Sequence, residues 1–379
     1  MRVLGLMSGT SADGVDAVLA EFSGPPAAPC WTLLRTASMP YPDSLRQAVT
    51  AAGQGARLSS GDWLDLAEAI TEAQAQAARA CDPEATAELV GCHGQTVWHR
   101  PPRSGRRGAS WQVLQAPLLA QLLSCPVISD FRAADLALGG QGAPLVPMTD
   151  AALLGRLDGW RAVLNLGGIA NLTLIPPANG PDRDAPVQGW DCGPANSLVD
   201  LAMQRISGGQ QAYDRDGALA SRGRPDQNRI ERWLAEPYFH AQPPKSTGRE
   251  QFGAADLERR QRELASAEPA DLVATLTAFS AAVVAQDLDR LNQSQGIRPL
   301  ELVVAGGGCR NPVLMAELRR RCPGLTLRTS DELGIPTSAR EPLAFALLAW
   351  WHQCGHPGSA PAITGAERST VLGVLVRPG

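Results

Sequence analysis

Lysine is almost missing from this chain: among 34 lysine and arginine residues, the one lysine is Lys245. It follows Pro244, so no GxxxxGK[ST] phosphate loop can exist, and phosphate binding must rest on backbone amides, hydroxyls and metal. A dinucleotide fingerprint is missing too. The glycine clusters do not space as G-x-G-x-x-G, and no acidic residue stands where that fold needs one, which excludes a nicotinamide dehydrogenase. No uninterrupted apolar run approaches the roughly 20 residues of a bilayer span, and MRVLGLMSG turns glycine-rich too early for a signal peptide, so a cytoplasmic protein without membrane contact is expected. The eight cysteines (30, 81, 92, 125, 192, 309, 322 and 354) include no CxxC pair. That scatter fits reduced thiols and argues against a disulfide framework or structural zinc. No low-complexity tract or short repeat occurs.

What is present points to a two-lobed α/β protein. The 379 residues, 44% hydrophobic and 19% charged, suffice for a large core and two domains. A formal charge of −4 disfavours polyanions. The one basic segment, RPPRSGRRGAS from Arg100 to Ser110, is rich in proline, glycine and serine and has no interleaved aromatics, so it reads as a solvated loop and no nucleic-acid partner is expected. Strands and helices alternate along the chain. RVLGLM and VDAVLAEF flank the opening loop, and a helix follows at 59–81 with Ser60 or Asp62 as its cap. Strands ELVGCHG and CPVISDF come next, then a second glycine hairpin in WRAVLNLGG and ANLTLI. Helices are predicted at ANSLVDLAMQRIS, ADLVATLTAFSAAVVAQDLDRL, NPVLMAELRRRC and REPLAFALLAWWHQ, with strand ELVVAG between and TVLGVLV at the end.

Three glycine clusters carry the chemistry. In SGTSADG, Gly9 and Gly14 permit unusual backbone angles, and Ser8, Thr10 and Ser11 supply hydroxyls, so the loop can turn its N–H groups inward as an anion nest; an ordinary tight hairpin has the same composition. In LNLGGIANLT, Gly167 and Gly168 break two apolar strands again, with donors continuing to Asn171. Two such loops could hold a triphosphate from both sides, which one could not. In ELVVAGGGCRNP, bare backbone from Gly306 to Gly308 followed by Asn311 at a helix start suits a flat adenine ring.

Those motifs resemble the actin, sugar kinase and Hsp70 superfamily of ATPases. The wording of GLMSGTSADGVD, CHGQTVWHRP, DFRAADLALGGQGAPLVP, LNLGGIANLT, WDCGPAN, KSTGREQF and REPLAFALLA resembles the 1,6-anhydro-N-acetylmuramic acid kinase family over nearly the whole chain. The resemblance implies an actin-like fold with the active site between lobes. It implies a reaction in which water opens the 1,6-anhydro bridge while the γ-phosphoryl group of ATP passes to O6, giving N-acetylmuramic acid 6-phosphate and ADP in murein recycling. It also suggests a homodimer, which nothing in the sequence itself shows.

Such a reaction needs a carboxylate to take a proton from water. Asp191 in WDCGPAN, at a strand exit, is assigned as that base by the resemblance; by position alone it would serve as a helix N-cap. Glu341, at the start of the apolar helix PLAFALLAWW, is carried as an auxiliary acid or base near the sugar, although charge complementing a helix end also explains it. Asp13 and Asp16 flank the first loop and could hold the water shell of Mg²⁺. Asp16 is equally a turn or strand-end residue. Met7 stands where ordinary sugar kinases carry a metal-ordering aspartate. Gln95 and Arg132 are the expected sugar contacts, the arginine facing the lactyl carboxylate, and Asp135, counted with them in the substrate site, is expected to shape the hinge side of the pocket with the glycines of GGQGAP. His93 is either a buried hydrogen-bonded side chain or a ligand group. Lys245 and Arg249 read as either a positive loop over the nucleotide or a solvated loop. The lobes are expected at 1–135 with 353–379 returning to it, and at 136–352. Two alternatives remain at this level: a kinase of a free sugar hydroxyl, and a non-catalytic ATP-binding module.

Overall fold

The computed structural model describes residues 1–9, 12–103, 105–248, 251–264 and 268–379, so Thr10, Ser11 and Arg249 lie outside the described residues. Among the described residues twelve strands are defined: β1 (Arg2–Ser8), β2 (Gly14–Ser23), β3 (Cys30–Pro40), β4 (Leu89–Arg100), β5 (Ala109–Val113), β6 (Val127–Ser129), β7 (Arg161–Leu166), β8 (Ile169–Ile175), β9 (Gln188–Pro194), β10 (Glu301–Ala305), β11 (Thr326–Thr329) and β12 (Val374–Val376). They form two sheets in two compact units, one comprising Met1–Gly155 and Ser338–Gly379, the other Arg156–Thr337.

Both sheets repeat one plan. The first orders its strands β12-β6-β4-β1-β2-β3, with β5 paired to β4; the second orders β11-β10-β7-β8-β9. In each, an antiparallel three-strand meander (β1–β2–β3, β7–β8–β9) is extended from its first strand by two parallel strands (β4 and β6, β10 and β11). This duplicated topology is the α/β arrangement that the resemblance to actin-like ATPases implies. Each glycine hairpin is the first turn of its meander.

The unit boundaries differ from the sequence expectation. The first unit runs to Gly155 instead of 135, and its second segment starts at Ser338 instead of 353. The reason is the helix Arg340–Gln353, which lies directly on the first sheet. Gly5 of β1 and Gly91 of β4, paired in register, face it, and a Cβ on them would stand 1.9 Å from the Pro342 carbonyl oxygen and 2.2 Å from that of Phe345. Buried Arg340 also binds Asp150 of the helix Val146–Leu154, with Nε 2.9 Å from Oδ1 and a second contact from Nη2 to Oδ2. Both helices therefore belong to the first unit. On the opposite face, Leu4 and Leu6 alternate with Gly5 and pack with Leu66 and Ile70 of the helix Ser60–Cys81. Its cap is Ser59, one residue before the expected Ser60, and Asp62 closes a capping box.

The second unit is built around the helix Pro269–Gln295, whose length and composition would also suit a membrane. Its apolar window is 89% buried inside the unit, which makes it a core helix. Its side chains share one cluster with Leu164, Leu172 and Trp190 of the sheet.

A prediction follows from the bare contact. Gly91→Ala forces the strand and helix apart, because the clash is with backbone that cannot rotate away. We expect a loss of roughly 1–3 kcal/mol or more in urea unfolding, whereas Gly61→Ala, in the helix Ser60–Cys81 and with its nearest neighbour 3.7 Å away, stays within about 1 kcal/mol.

Candidate active site

In the first unit the loop after β1 is braced by side chains. Ser8 Oγ lies 2.6 Å from Gln95 Oε1 and 2.8 Å from the Gly14 carbonyl, its one proton shared between them. Tyr41 donates to Gln95 Oε1 at 3.3 Å, and Gln95 Nε2 donates to the Gly9 carbonyl at 3.1 Å. Ser8 and Gln95 are buried. Gln95, expected to touch sugar, thus differs from expectation: its amide is committed to holding the loop. Burial pushes the Tyr41 phenol up to about 12, so it stays a donor there. The turn itself closes through the Ala12 N–H on the Gly9 carbonyl (3.1 Å), with Ala12 at φ 54°. The sequence gives no hint that this alanine is left-handed.

The two expected metal carboxylates separate in character. Asp13 is exposed and pairs with Arg46 at 3.1 Å. Asp16 is half-buried on β2, directly opposite Met7 on β1. Facing residues of an antiparallel pair share a sheet face with Cβ atoms about 5 Å apart, so β2 supplies a carboxylate beside the place where β1 carries methionine. No cluster of three metal-binding side chains exists among the described residues. That donor set fits Mg²⁺ held by phosphate and water with few protein ligands.

Arg132 and Asp135 organise the GGQGAP loop. Arg132 donates from Nη1 to the Gly142 carbonyl (2.6 Å) and from Nη2 to His93 Nε2 (3.0 Å). Asp135, wholly buried, accepts from the Gly142 N–H (2.8 Å) and Thr364 Oγ1 (2.6 Å). Asp135 is therefore committed to the GGQGAP loop, with no surface left to meet a ligand directly. His93 donates from Nδ1 to the Gly94 carbonyl at 3.0 Å, which leaves Nε2 as the acceptor for Arg132. Glu341 stands half-buried in the first turn of Arg340–Gln353, beside the anchored Arg340.

In the second unit the hairpin is braced by backbone. The N–H groups of Ala195 and Ser197 donate to the Gly168 carbonyl (2.9 and 3.0 Å), and that of Asn196 to the Gly167 carbonyl (3.1 Å). Asn196 sits at a helix start without capping it. Its amide instead donates to the carbonyls of Leu166 (3.0 Å) and Gly167 (2.8 Å). With three successive carbonyls turned to this segment, planar trans peptides turn the N–H groups of Gly167, Gly168 and Ile169 away from it, as an anion nest requires. Sequence reasoning missed the role of Asn196, whose position before a helix reads as a cap.

Asp191 is buried in the middle of β9, not at the strand exit expected from the sequence. Asn171, opposite it on β8, donates from Nδ2 to Oδ1 in a short contact, and the Thr247 N–H donates to Oδ2 at 2.8 Å. Asn171, expected at phosphate, is thus a partner of the carboxylate. Lys245 is buried, 3.1 Å from Asp287 Oδ1, and is neither a nucleotide cover nor a solvated side chain.

The third glycine cluster adjoins the hairpin. A Cβ on Gly306 would stand 2.7 Å from Asn165 Oδ1, and one on Gly308 2.7 Å from Leu166 Cβ, so both are committed to packing. Only Gly307 faces open space, which narrows the expected bare surface to one residue. Asn311 caps the helix Pro312–Arg321 through the N–H groups of Val313 (3.0 Å) and Leu314 (3.2 Å). Gly217 lies against it, so the Tyr213–Gly217 turn, overlooked in the sequence, borders the same corner.

With this geometry established, comparison with known proteins is informative. The model of the family described as anhydro-N-acetylmuramic acid kinase matches residues 1–378. The chain belongs to that family. It is 70% identical over 378 residues to the anhydro-N-acetylmuramic acid kinase of Prochlorococcus marinus (strain MIT 9313) and 68% identical over 380 residues to that of Synechococcus sp. (strain CC9902), each match covering 100% of both chains. Among solved structures, an activator of 2-hydroxyisocaproyl-CoA dehydratase from Clostridium difficile with bound ADPNP aligns with TM-score 0.42 and 13% identity, covering 92% of this chain and 94% of that one. A ROK family glucokinase from Streptomyces griseus, in complex with glucose and AMPPNP, aligns with TM-score 0.39 and 15% identity, covering 92% and 99%. Membership makes the chain an ATP-dependent phosphotransferase with an alcohol acceptor, acting in murein recycling.

The buried histidines set a pH dependence. Burial, then the Arg132 charge, holds His93 well below the usual value, and the same causes bring His99 down to about 4. Unfolded, both titrate near about 6.5. Below that pH the unfolded chain takes up protons that the folded chain refuses, so the contribution is complete above pH ~6.5 and declines as pH falls, by up to about 1.4 kcal/mol per pH unit per histidine. His93→Gln, which can keep both hydrogen bonds, should show a shallower loss of stability between pH ~6.5 and ~5 in urea titrations.

Proposed function

We propose that Asp191 is the general base for the anhydro-sugar kinase reaction of this family in this chain. It takes a proton from the water that attacks the anomeric carbon; the C1–O6 bond breaks, and O6 attacks the γ-phosphorus of ATP, with ADP leaving. The observation that carries this reading is the carboxylate itself: buried, with Asn171 and the Thr247 N–H each donating to one oxygen, on the strand whose exit segment braces the Gly167–Gly168 turn. Donors on both oxygens fix the side chain while leaving lone pairs to accept a proton.

The remaining roles follow from the same assignment. The Gly167–Gly168 turn and the Ser8–Gly14 loop, with Thr10 and Ser11, bind the polyphosphate through amides and hydroxyls. Gly307 and the adjoining Tyr213–Gly217 turn border the adenosine. Asp16, opposite Met7, would order the water shell of an Mg²⁺ carried with ATP, which would supply charge neutralisation at the phosphates, with exposed Asp13 peripheral. Arg132 serves the lactyl carboxylate, and Glu341 is the auxiliary carboxylate. Gln95, Asp135 and Asn171 act one step back, by holding the loops and the base. A cytoplasmic setting supplies the ATP this chemistry needs.

The test is an assay with ATP, Mg²⁺ and 1,6-anhydro-N-acetylmuramic acid in ¹⁸O-labelled water. The expected product carries one label at the anomeric carbon and none in the phosphate ester. Asp191→Asn is expected to lower kcat on the order of 10²- to 10⁴-fold while ATP binding, followed by calorimetry, is retained. A variant with near wild-type turnover would remove Asp191 from the mechanism.

A further inference from the structure

We propose that the buried Lys245–Asp287 ion pair is the positioning element for Asp191, fixing the backbone on both sides of the carboxylate. The inference rests on the reading of Asp191 as the base.

The geometry converges on one residue. Asp287, on the core helix Pro269–Gln295, accepts from Lys245 Nζ at Oδ1 (3.1 Å) and from Trp190 Nε1 at Oδ2 (2.8 Å). Trp190 immediately precedes Asp191 on β9. The Lys245 carbonyl accepts the Asp191 N–H at 3.0 Å, and two residues on, the Thr247 N–H reaches Asp191 Oδ2. Tyr238, whose ring lies 5.1 Å from Lys245 Nζ, donates its hydroxyl to the Asp191 carbonyl at 2.8 Å. The N–H, the carbonyl and one carboxylate oxygen of Asp191 are therefore all held by groups on, or in contact with, the segment that this ion pair ties to the core.

Composition agrees with that placement. The chain uses arginine at every other basic position, yet has lysine at the one place where a compact ammonium must sit between Tyr238 and Asp287. Burial of Asp287 raises its pKa and Lys245 opposes this. A buried pair of this kind is weak evidence for stability on its own, because desolvation offsets attraction, whereas it does fix one arrangement of the chain.

The single lysine makes the test clean. In the native protein, an amine-reactive acylating reagent followed by peptide mass spectrometry should label the Met1 amine and leave Lys245 unmodified until urea unfolds the chain. A Lys245 labelled as fast in the folded as in the unfolded protein overturns the proposal, whatever any variant does. Removing Lys245 alone strands a buried carboxylate, so the variant is Lys245→Met with Asp287→Asn, which removes both charges and keeps an acceptor for Trp190. Measured well below its melting midpoint, where circular dichroism shows it fully folded, the double variant is expected to lose about 10- to 100-fold in kcat with KM for both substrates within about twofold. The Thr247 amide should exchange with solvent faster than in the wild type. Wild-type kcat and unchanged Thr247 exchange in the folded variant would defeat the inference. Asp191→Asn separates the two readings: if it stays active, the base assignment fails; if it is inactive while the double variant is fully active, only the positioning role fails.

Discussion

The capture of the Gly167 and Gly168 carbonyls by the N–H groups of residues 195–197 is the contact on which the second unit's glycine hairpin depends. A glycine pair between two strands has many accessible conformations, and composition alone does not choose one. Once the segment leaving β9 takes the carbonyls, the peptide planes are set and the opposite N–H groups share one side. The same strand bears Asp191 and pairs Asp191 with Asn171. One strand thus sets both the Gly167–Gly168 turn and the Asp191 carboxylate, so neither can shift in register without the other.

The two units reach this result by different chemistry on the same topology. In the second, backbone and the Asn196 amide hold the turn. In the first, three side chains, Ser8, Tyr41 and Gln95, form a buried polar network under the loop. Such networks are costly to leave half-satisfied, and so specify one loop geometry strongly. The carboxylate that β1 lacks at Met7 is present on the facing residue of β2, so the change of residue type moves the charge by one strand within the same sheet face.

Most of the architecture was legible because apolar runs and glycine punctuation report it directly. β1, β2 and the helix at 60–81 follow from periodicity, the two hairpins from glycines between apolar runs, and the helices at 269–295 and 340–353 from the length of their apolar runs. What was not legible depends on partners distant in sequence. Gln95 and Asp135 are polar residues beside glycine loops, and sequence cannot distinguish a side chain that meets a ligand from one that holds a loop. Asn171 looked like part of a donor row until the register placed it opposite Asp191. The unit boundary could not be read because the helix at 340–353 is apolar all round, and only the bare glycines on β1 and β4 show which sheet it covers. Lys245 was undecided for the same reason: its partner, Asp287, lies on a helix 42 positions away.

The glycine contact between the first sheet and Arg340–Gln353 has a mechanical meaning. Side chains normally form a compliant layer between helix and sheet, and that layer absorbs small displacements by changing rotamers. Where main chain rests on main chain there is nothing soft to deform. The carboxylate of Glu341 consequently inherits the stiffness of the strands, and any hinge available to this half of the molecule must lie elsewhere than beneath it.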